Sequence, residues 1–182
     1  MRFLTTAVTA LAALAFIGSP LFAAEAPVDR DNKPIAAPAE LAKLTGDAAK
    51  GQASFAPLCG ICHQVNGAGI DFGPNLSDIG TRKTKENIYE SILDPNKVLE
   101  PGFESVLIKL ESDEVAMGMI AGETDTEVTV KAMGGVKTTF KKADIVSRTK
   151  QPTSLMPVGL HRALSTDDLI NIVEYLAAQK KK

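Results

Sequence analysis

Two hydrophobic periods divide this chain. In three stretches apolar residues recur every three to four positions, the spacing of a helix with one buried face. The first runs from Asp47 to about Pro57 and puts Gly51 and Phe55 four apart on one face. The second follows Thr84, a good N-cap residue, and carries Ile88, Tyr89, Ile92 and Leu93 before Asp94-Pro95 ends it. The third opens on Ser165 with Asp168 three residues on, the spacing of a capping box. Leu169, Ile172, Val173 and Leu176 then form a stripe suited to a core face, and Lys180 to Lys182 place positive charge near the negative helix end.

Between the second and third helices the period drops to two. Val106, Ile108 and Leu110 alternate with polar residues, as do Val115, Met117 and Met119, then Val128 and Val130, then Val136, Thr138 and Phe140. Gly134-Gly135 has the composition of a two-residue hairpin turn, and Ser112-Asp113 suggests another turn. Residues 105–150 therefore read as a small antiparallel unit of four or five strands set inside a helical protein.

The first residues read as an address. Arg2 precedes an apolar run from Ala7 to Ile17, then the breakers Gly18, Ser19 and Pro20, then Leu21-Phe22-Ala23-Ala24. This is the order of a secretory signal peptide, here 1–23. The apolar run is shorter than the roughly 20 residues of a membrane span, which favours a cleaved signal over a retained anchor and no stable membrane insertion afterwards. Residues 24–45 are rich in Ala and Pro; Pro27, Pro34 and Pro38 block a continuous helix, and the stretch is expected to be an extended linker.

Composition narrows the function. The 182 residues are 45% hydrophobic and 23% charged, enough apolar material for a packed core. The formal charge of -2 provides no basic field for nucleic acid. There are only two cysteines and two histidines, and no tryptophan. Three of those four Cys and His residues fall in Cys59-Gly60-Ile61-Cys62-His63.

The C-x-x-C-H pattern is that of covalent c-type haem attachment. Two thiols one helical turn apart can each bond a vinyl group, and the next residue then lies under the iron as an imidazole ligand. Rival uses explain less. A thioredoxin-like pair follows a strand, whereas a helical pattern precedes this one. A zinc site drawing on Cys59, Cys62, His63 and His161 would force adjacent Cys62 and His63 onto one tetrahedron. A plain disulfide leaves His63 unexplained.

The other face of the iron needs a ligand. Met117, Met119 and Met133 belong to the strand unit, where packing is the expected role. Met156 lies in the non-repetitive Ser154-Leu155-Met156-Pro157, where the proline stiffens the loop, and is the candidate ligand. His161 is its one competitor, expected instead as a partly exposed surface residue. Lys141 and Lys142 read as a solvated turn, with docking a lesser reading.

Taken together, these segments resemble a class I cytochrome c: the helix with Gly51 and Phe55, the Cys59 to His63 motif, Gly73-Pro74-Asn75-Leu76, Met156-Pro157 and the final helix with Ile172-Val173-Glu174-Tyr175-Leu176. The likeness covers about 46–104 and 151–182. It implies a mainly α fold of three or more helices around one haem c with its iron, with the strand unit at about 105–150 interrupting a domain at 46–182. It also implies that the Pro74 carbonyl holds the second nitrogen of His63, and that the first and last helices cross with Gly51 and Phe55 against Val173 and Tyr175. Met156 lies 93 residues after His63, and the strand unit takes 46 of these, consistent with an insertion ahead of the ligand loop. With Ile92-Leu93-Asp94-Pro95 before the strands and Ser154-Leu155-Met156-Pro157 after them, the chain is similar to a haem-binding domain found in planctomycetes and verrucomicrobia, often at the C-terminus of dehydrogenase-like proteins.

This resemblance implies a periplasmic carrier of single electrons, not an enzyme, taking them from a dehydrogenase and passing them towards another cytochrome or a terminal oxidase. A haem-based gas or redox sensor, or a binding module, with Met156 displaced is the alternative; a peroxidase would also need an open iron position. Since the mature chain is poor in aromatic residues, the porphyrin is expected to act as its missing large apolar group, with an apoprotein that is poorly folded.

Overall fold

The computed structural model describes residues 26–180; the expected signal at 1–23 lies outside the described residues. Five helices frame one core: α1 (Pro38–Leu41), α2 (Ala48–Leu58), α3 (Ile79–Arg82), α4 (Lys85–Leu93) and α5 (Thr166–Ala177). Their ends are set by local chemistry. The Asp47 carboxylate accepts from the amides of Ala49 and Lys50 at the start of α2, and Thr84 Oγ1 accepts from Asn87 N at the start of α4. Ser165 and Asp168 exchange both bonds of a capping box before α5. All four residues of the predicted α5 stripe are buried.

α2 and α5 cross at close range. A Cβ on Gly51 would lie 1.9 Å from the Asn171 carbonyl oxygen and 2.9 Å from Tyr175 Cβ, so only glycine permits this approach. One turn further along, the Phe55 and Tyr175 rings meet with centroids 5.6 Å apart and planes inclined by 57°, a favourable tilted pair. The expected helix crossing is therefore present, with Asn171 as the backbone neighbour of Gly51.

The Ala/Pro-rich stretch differs from an extended linker. Ile35 and Leu41 are buried in the helical core. The Asp29 carboxylate accepts from the amides of Asp31 and Lys33 and from both the amide and hydroxyl of Thr166. Residues 26–45 thus form a strap tied to the N-terminal end of α5. The prolines preclude a long helix, as read, but isolated apolar residues with no period can still be buried.

The strands are β1 (Ser105–Leu110), β2 (Val115–Glu123), β3 (Glu127–Lys131), β4 (Lys137–Lys141) and β5 (Ile145–Lys150), in the antiparallel order β4-β3-β2-β1-β5. Gly134 and Gly135, both at φ near +80°, turn β3 into β4. Asp113, at φ 65°, turns β1 into β2. Val106, Ile108, Leu110, Val128 and Val130 fill a second core, against Ala116, Ile120, Phe140 and Ile145. The register pairs Leu107 with Met117 and Lys109 with Val115 on the opposite face. Met117, expected to pack, is consequently 54% exposed.

Candidate functional site

α2 ends at Leu58, and the chain turns on with His63 N donating to Cys59 O at 2.9 Å and Cys62 N to the same oxygen at 3.0 Å. This single turn holds the two thiols and the imidazole together. Ile70, Phe72 and Gly73 return their amides to the carbonyls of Gly60 and Cys62, folding the Gly73-Pro74 segment back under the His63 ring.

His63 Nδ1 is 2.8 Å from the Pro74 carbonyl oxygen. A carbonyl only accepts, so Nδ1 carries the proton and donates, leaving the lone pair on Nε2. Burial holds the His63 pKa below its ordinary value, against the smaller opposite effect of the Pro74 bond, so the ring is neutral and able to bind a metal. Gly73 forms the wall of this cradle: a Cβ there would lie 2.6 Å from His63 Cε1. Nothing local in Gly73-Pro74-Asn75-Leu76 shows that the ring's position requires a glycine there; the need arises from the fold.

The ring belongs to the lining of an apolar cleft of about 250 Å³. Phe55 and Leu58 of α2, Ile88 and Ile92 of α4, and Ile172 and Leu176 of α5 supply walls. Cys59 and Cys62 lie on the same surface, and Met156, Pro157 and Leu160 close another part of it. The Met156 loop is tied down by Ser154, whose amide donates to Asn96 Oδ1 at 2.8 Å and whose Oγ accepts from Met156 N at 3.1 Å. Cys59, Cys62, His63, Pro74 and Met156 are thus brought to one cleft.

Among the described residues no group of three or more His, Cys, Asp or Glu is placed to hold a metal ion. Burial, with Cys62 alongside, pushes the Cys59 thiol up to about 12, and burial raises Cys62 as well. A dithiol redox centre or zinc site works through thiolates. Neutral thiols beside an apolar cleft and a bare imidazole nitrogen instead fit a flat, apolar macrocycle bonded at its edge and ligated at its centre.

His161 departs from expectation. It lies in a 3₁₀ turn over Leu160–Ala163, is only 5% exposed, and neither ring nitrogen completes a hydrogen bond. Burial and then the Arg162 charge lower its pKa, and the facing Ile92 carbonyl offsets this only in part. It is absent from the cleft lining, whereas Met119 and Met133, assigned to strand packing from sequence, are part of that lining. Alternation could place a residue on a face of the sheet but could not show that this face meets the helices.

Among the described residues no helix is long and apolar enough to cross a membrane. Residues 48–129 match the family model described as Cytochrome c; the match spans the attachment motif and Pro74 and stops within β3, short of Met156 and α5. The match, over less than half of the chain, and the cleft support a c-type haem site; proteins of that family are electron-transfer proteins that carry covalently attached haem c with its iron.

Proposed function

We propose that the protein is a periplasmic electron carrier with a single haem, which Cys59 and Cys62 would hold through thioethers and whose iron His63 and Met156 would ligate. The observation that carries this reading is that one apolar cleft receives both the His63 ring, its Nδ1 committed to Pro74, and the Met156 loop. Haem c supplies a reversible one-electron centre. The chain orients the imidazole, provides a thioether that favours a high potential, and surrounds the group with aliphatic walls. Ligation by both His63 and Met156 would leave the iron suited to electron transfer rather than catalysis, through a small and weak docking surface. The donor is a dehydrogenase and the acceptor another cytochrome or a terminal oxidase. The 1–23 signal supports export to the periplasm, where such cofactors are used.

The strands at 105–150 are read as an insertion ahead of the ligand loop. This is the arrangement of the planctomycete and verrucomicrobial haem-binding domain that the sequence resembles.

The test is spectroscopic. The ferric holoprotein should show a methionine-to-iron charge-transfer band that is lost in Met156→Ala and retained in His161→Ala. Tight carbon monoxide binding by the resting ferrous protein would overturn the carrier reading in favour of a sensor with a displaceable Met156.

A further inference from the structure

The five-stranded sheet touches both loops that carry the expected iron ligands. At its β1 end, Ser105 is almost fully buried; its Oγ donates to Thr153 O at 3.2 Å, and its carbonyl accepts from Gln151 N at 2.8 Å. Residues 151–153 lead directly into the Met156 loop. At the other end, the Gly134-Gly135 turn rests on the segment before Gly73-Pro74: a Cβ on Gly135 would lie 3.4 Å from Ile70 Cγ2 and 3.6 Å from the Asp71 carbonyl. Beside this contact Lys131 Nζ is 3.5 Å from Asp71 Oδ1, with the lysine side chain only 12% exposed.

Two methionines lie on the span between these anchors. Met119, paired with Ser105 across β1 and β2, is 4% exposed and forms part of the cleft wall. Met133, in the β3–β4 turn, also lines the cleft but is 64% exposed, so it sits at the opening. The sheet's own core lies on its other face, through Val106, Ile108 and Val130. Met119 lies outside that core, and the wall it forms faces a cleft whose other walls include helix residues such as Phe55, Ile92 and Ile172.

We propose that the sheet is the outer wall of the haem crevice: Met119 packs on the porphyrin, Met133 covers its exposed edge, and the Lys131–Asp71 pair latches the wall to the segment below His63. The inference rests on the haem reading of the cleft. Unbranched thioethers suit the task because they adapt to a flat, irregular surface and contribute polarisable contacts. Keeping water from the edge of the group disfavours the more highly charged ferric state, and so raises the reduction potential. The same wall limits entry of small ligands from solvent. In this role Met119 and Met133 tune the site, and Lys131 and Asp71 are positioning residues.

The experiment compares the ferric holoprotein with Met133→Ala and Asp71→Asn, both changes at exposed side chains that leave the fold intact, and with Met119→Leu as a volume-conserving change inside the wall. The readouts are the rate at which added imidazole binds the ferric haem, the reduction potential and the methionine-to-iron band. Met133→Ala and Asp71→Asn should admit imidazole faster, by about fivefold where one weak latch is removed, and should lower the potential while keeping the band. Met119→Leu should keep both the band and slow entry. Unchanged entry and potential in Met133→Ala and Asp71→Asn would overturn the wall. Loss of the band in Met119→Leu would also overturn it, by making Met119 a ligand. Failure of the carrier reading is separable: it appears as carbon monoxide binding in the unmodified protein, before any sheet residue is changed.

Discussion

His63 Nδ1 and the Pro74 carbonyl oxygen, eleven residues apart in the chain, are 2.8 Å apart, and this bond determines which imidazole nitrogen is left for metal. Because the acceptor is backbone, the proline side chain is not what orients the ring. The orientation depends on the return of residues 70–73 under Cys62 and on the absence of a side chain at Gly73.

Gly73→Ala should therefore be far more damaging than Pro74→Ala. The new methyl would lie 2.6 Å from His63 Cε1, so the ring must move and the Pro74 bond must lengthen. Overpacking of this kind costs about 1–3 kcal/mol. Pro74→Ala keeps the carbonyl and loses only rigidity, about 0.4–1 kcal/mol. Urea unfolding of the two holoproteins should rank them in that order, and electron paramagnetic resonance of the ferric state should show altered axial ligation only in Gly73→Ala.

Gly51→Ala tests the helix crossing. In an isolated helix this change is favourable by about 1 kcal/mol. Here the methyl would be 1.9 Å from a backbone carbonyl of α5, which cannot rotate away, so α2 and α5 must separate. The steric term should dominate, with a net loss of about 1–3 kcal/mol read as a lower denaturant midpoint. A more stable variant would show that the crossing is looser than described.

Asp29 makes the strap sensitive to acid. Its carboxylate is held down at about 2, chiefly by the Lys33 amide, with Thr166 and Asp31 adding to the effect against the cost of burial. A carboxylate with a depressed pKa stabilises the fold above its unfolded value of about 4, and that stability is lost as pH falls from about 4 towards 2. Asp29→Asn should be less stable than the unmodified protein at pH 7 and should show a shallower decline between pH 4 and 2. Limited proteolysis at pH 7 should cut the variant within 26–45 while the rest of the chain stays protected.

His161 gives the opposite end of the pH range. Its ring is buried, neither nitrogen completes a hydrogen bond although the Ile92 carbonyl faces it, and its pKa is lowered first by burial and then by Arg162. Above about pH 6.5 the ring is neutral both folded and unfolded and adds no pH dependence. Below that, the unfolded chain takes up the proton first, so stability falls with pH until the folded ring also titrates. His161→Leu removes two desolvated nitrogens; it should raise stability by about 1 kcal/mol at pH 8 and flatten the decline between pH 7 and 5. Urea midpoints at those pH values measure both effects.

Local features could be read directly from the chain. The α4 and α5 caps, the α5 stripe, the turns at Asp113 and Gly134-Gly135, and the Cys59 to His63 motif are all set by residues within a few positions of one another. The proximity of Gly51 to α5 was legible too, though only through resemblance, because nothing near Gly51 in sequence requires a glycine there. Ile35, Leu41 and Asp29 were not legible: none belongs to a period, and their burial depends on partners distant in the chain, α4 for the helix that carries Leu41 and Thr166 for Asp29. His161 failed for the same reason. A lone histidine beside an arginine carries no local sign that α4 will cover it.

By itself the sequence determined the attachment chemistry, the helix and strand types and the turns between them, because each follows from bonding and periodicity over a short stretch. Met117 and Met119 share one face of β2, and only the tertiary structure decided how far along that face the cleft reaches, so that Met119 lines it with Met133 while Met117 faces solvent. A two-residue period separates the faces of a strand but is blind to what covers them. The covering surface is formed by long-range packing, here by the Met156 loop and the segment below His63 closing on opposite ends of one sheet.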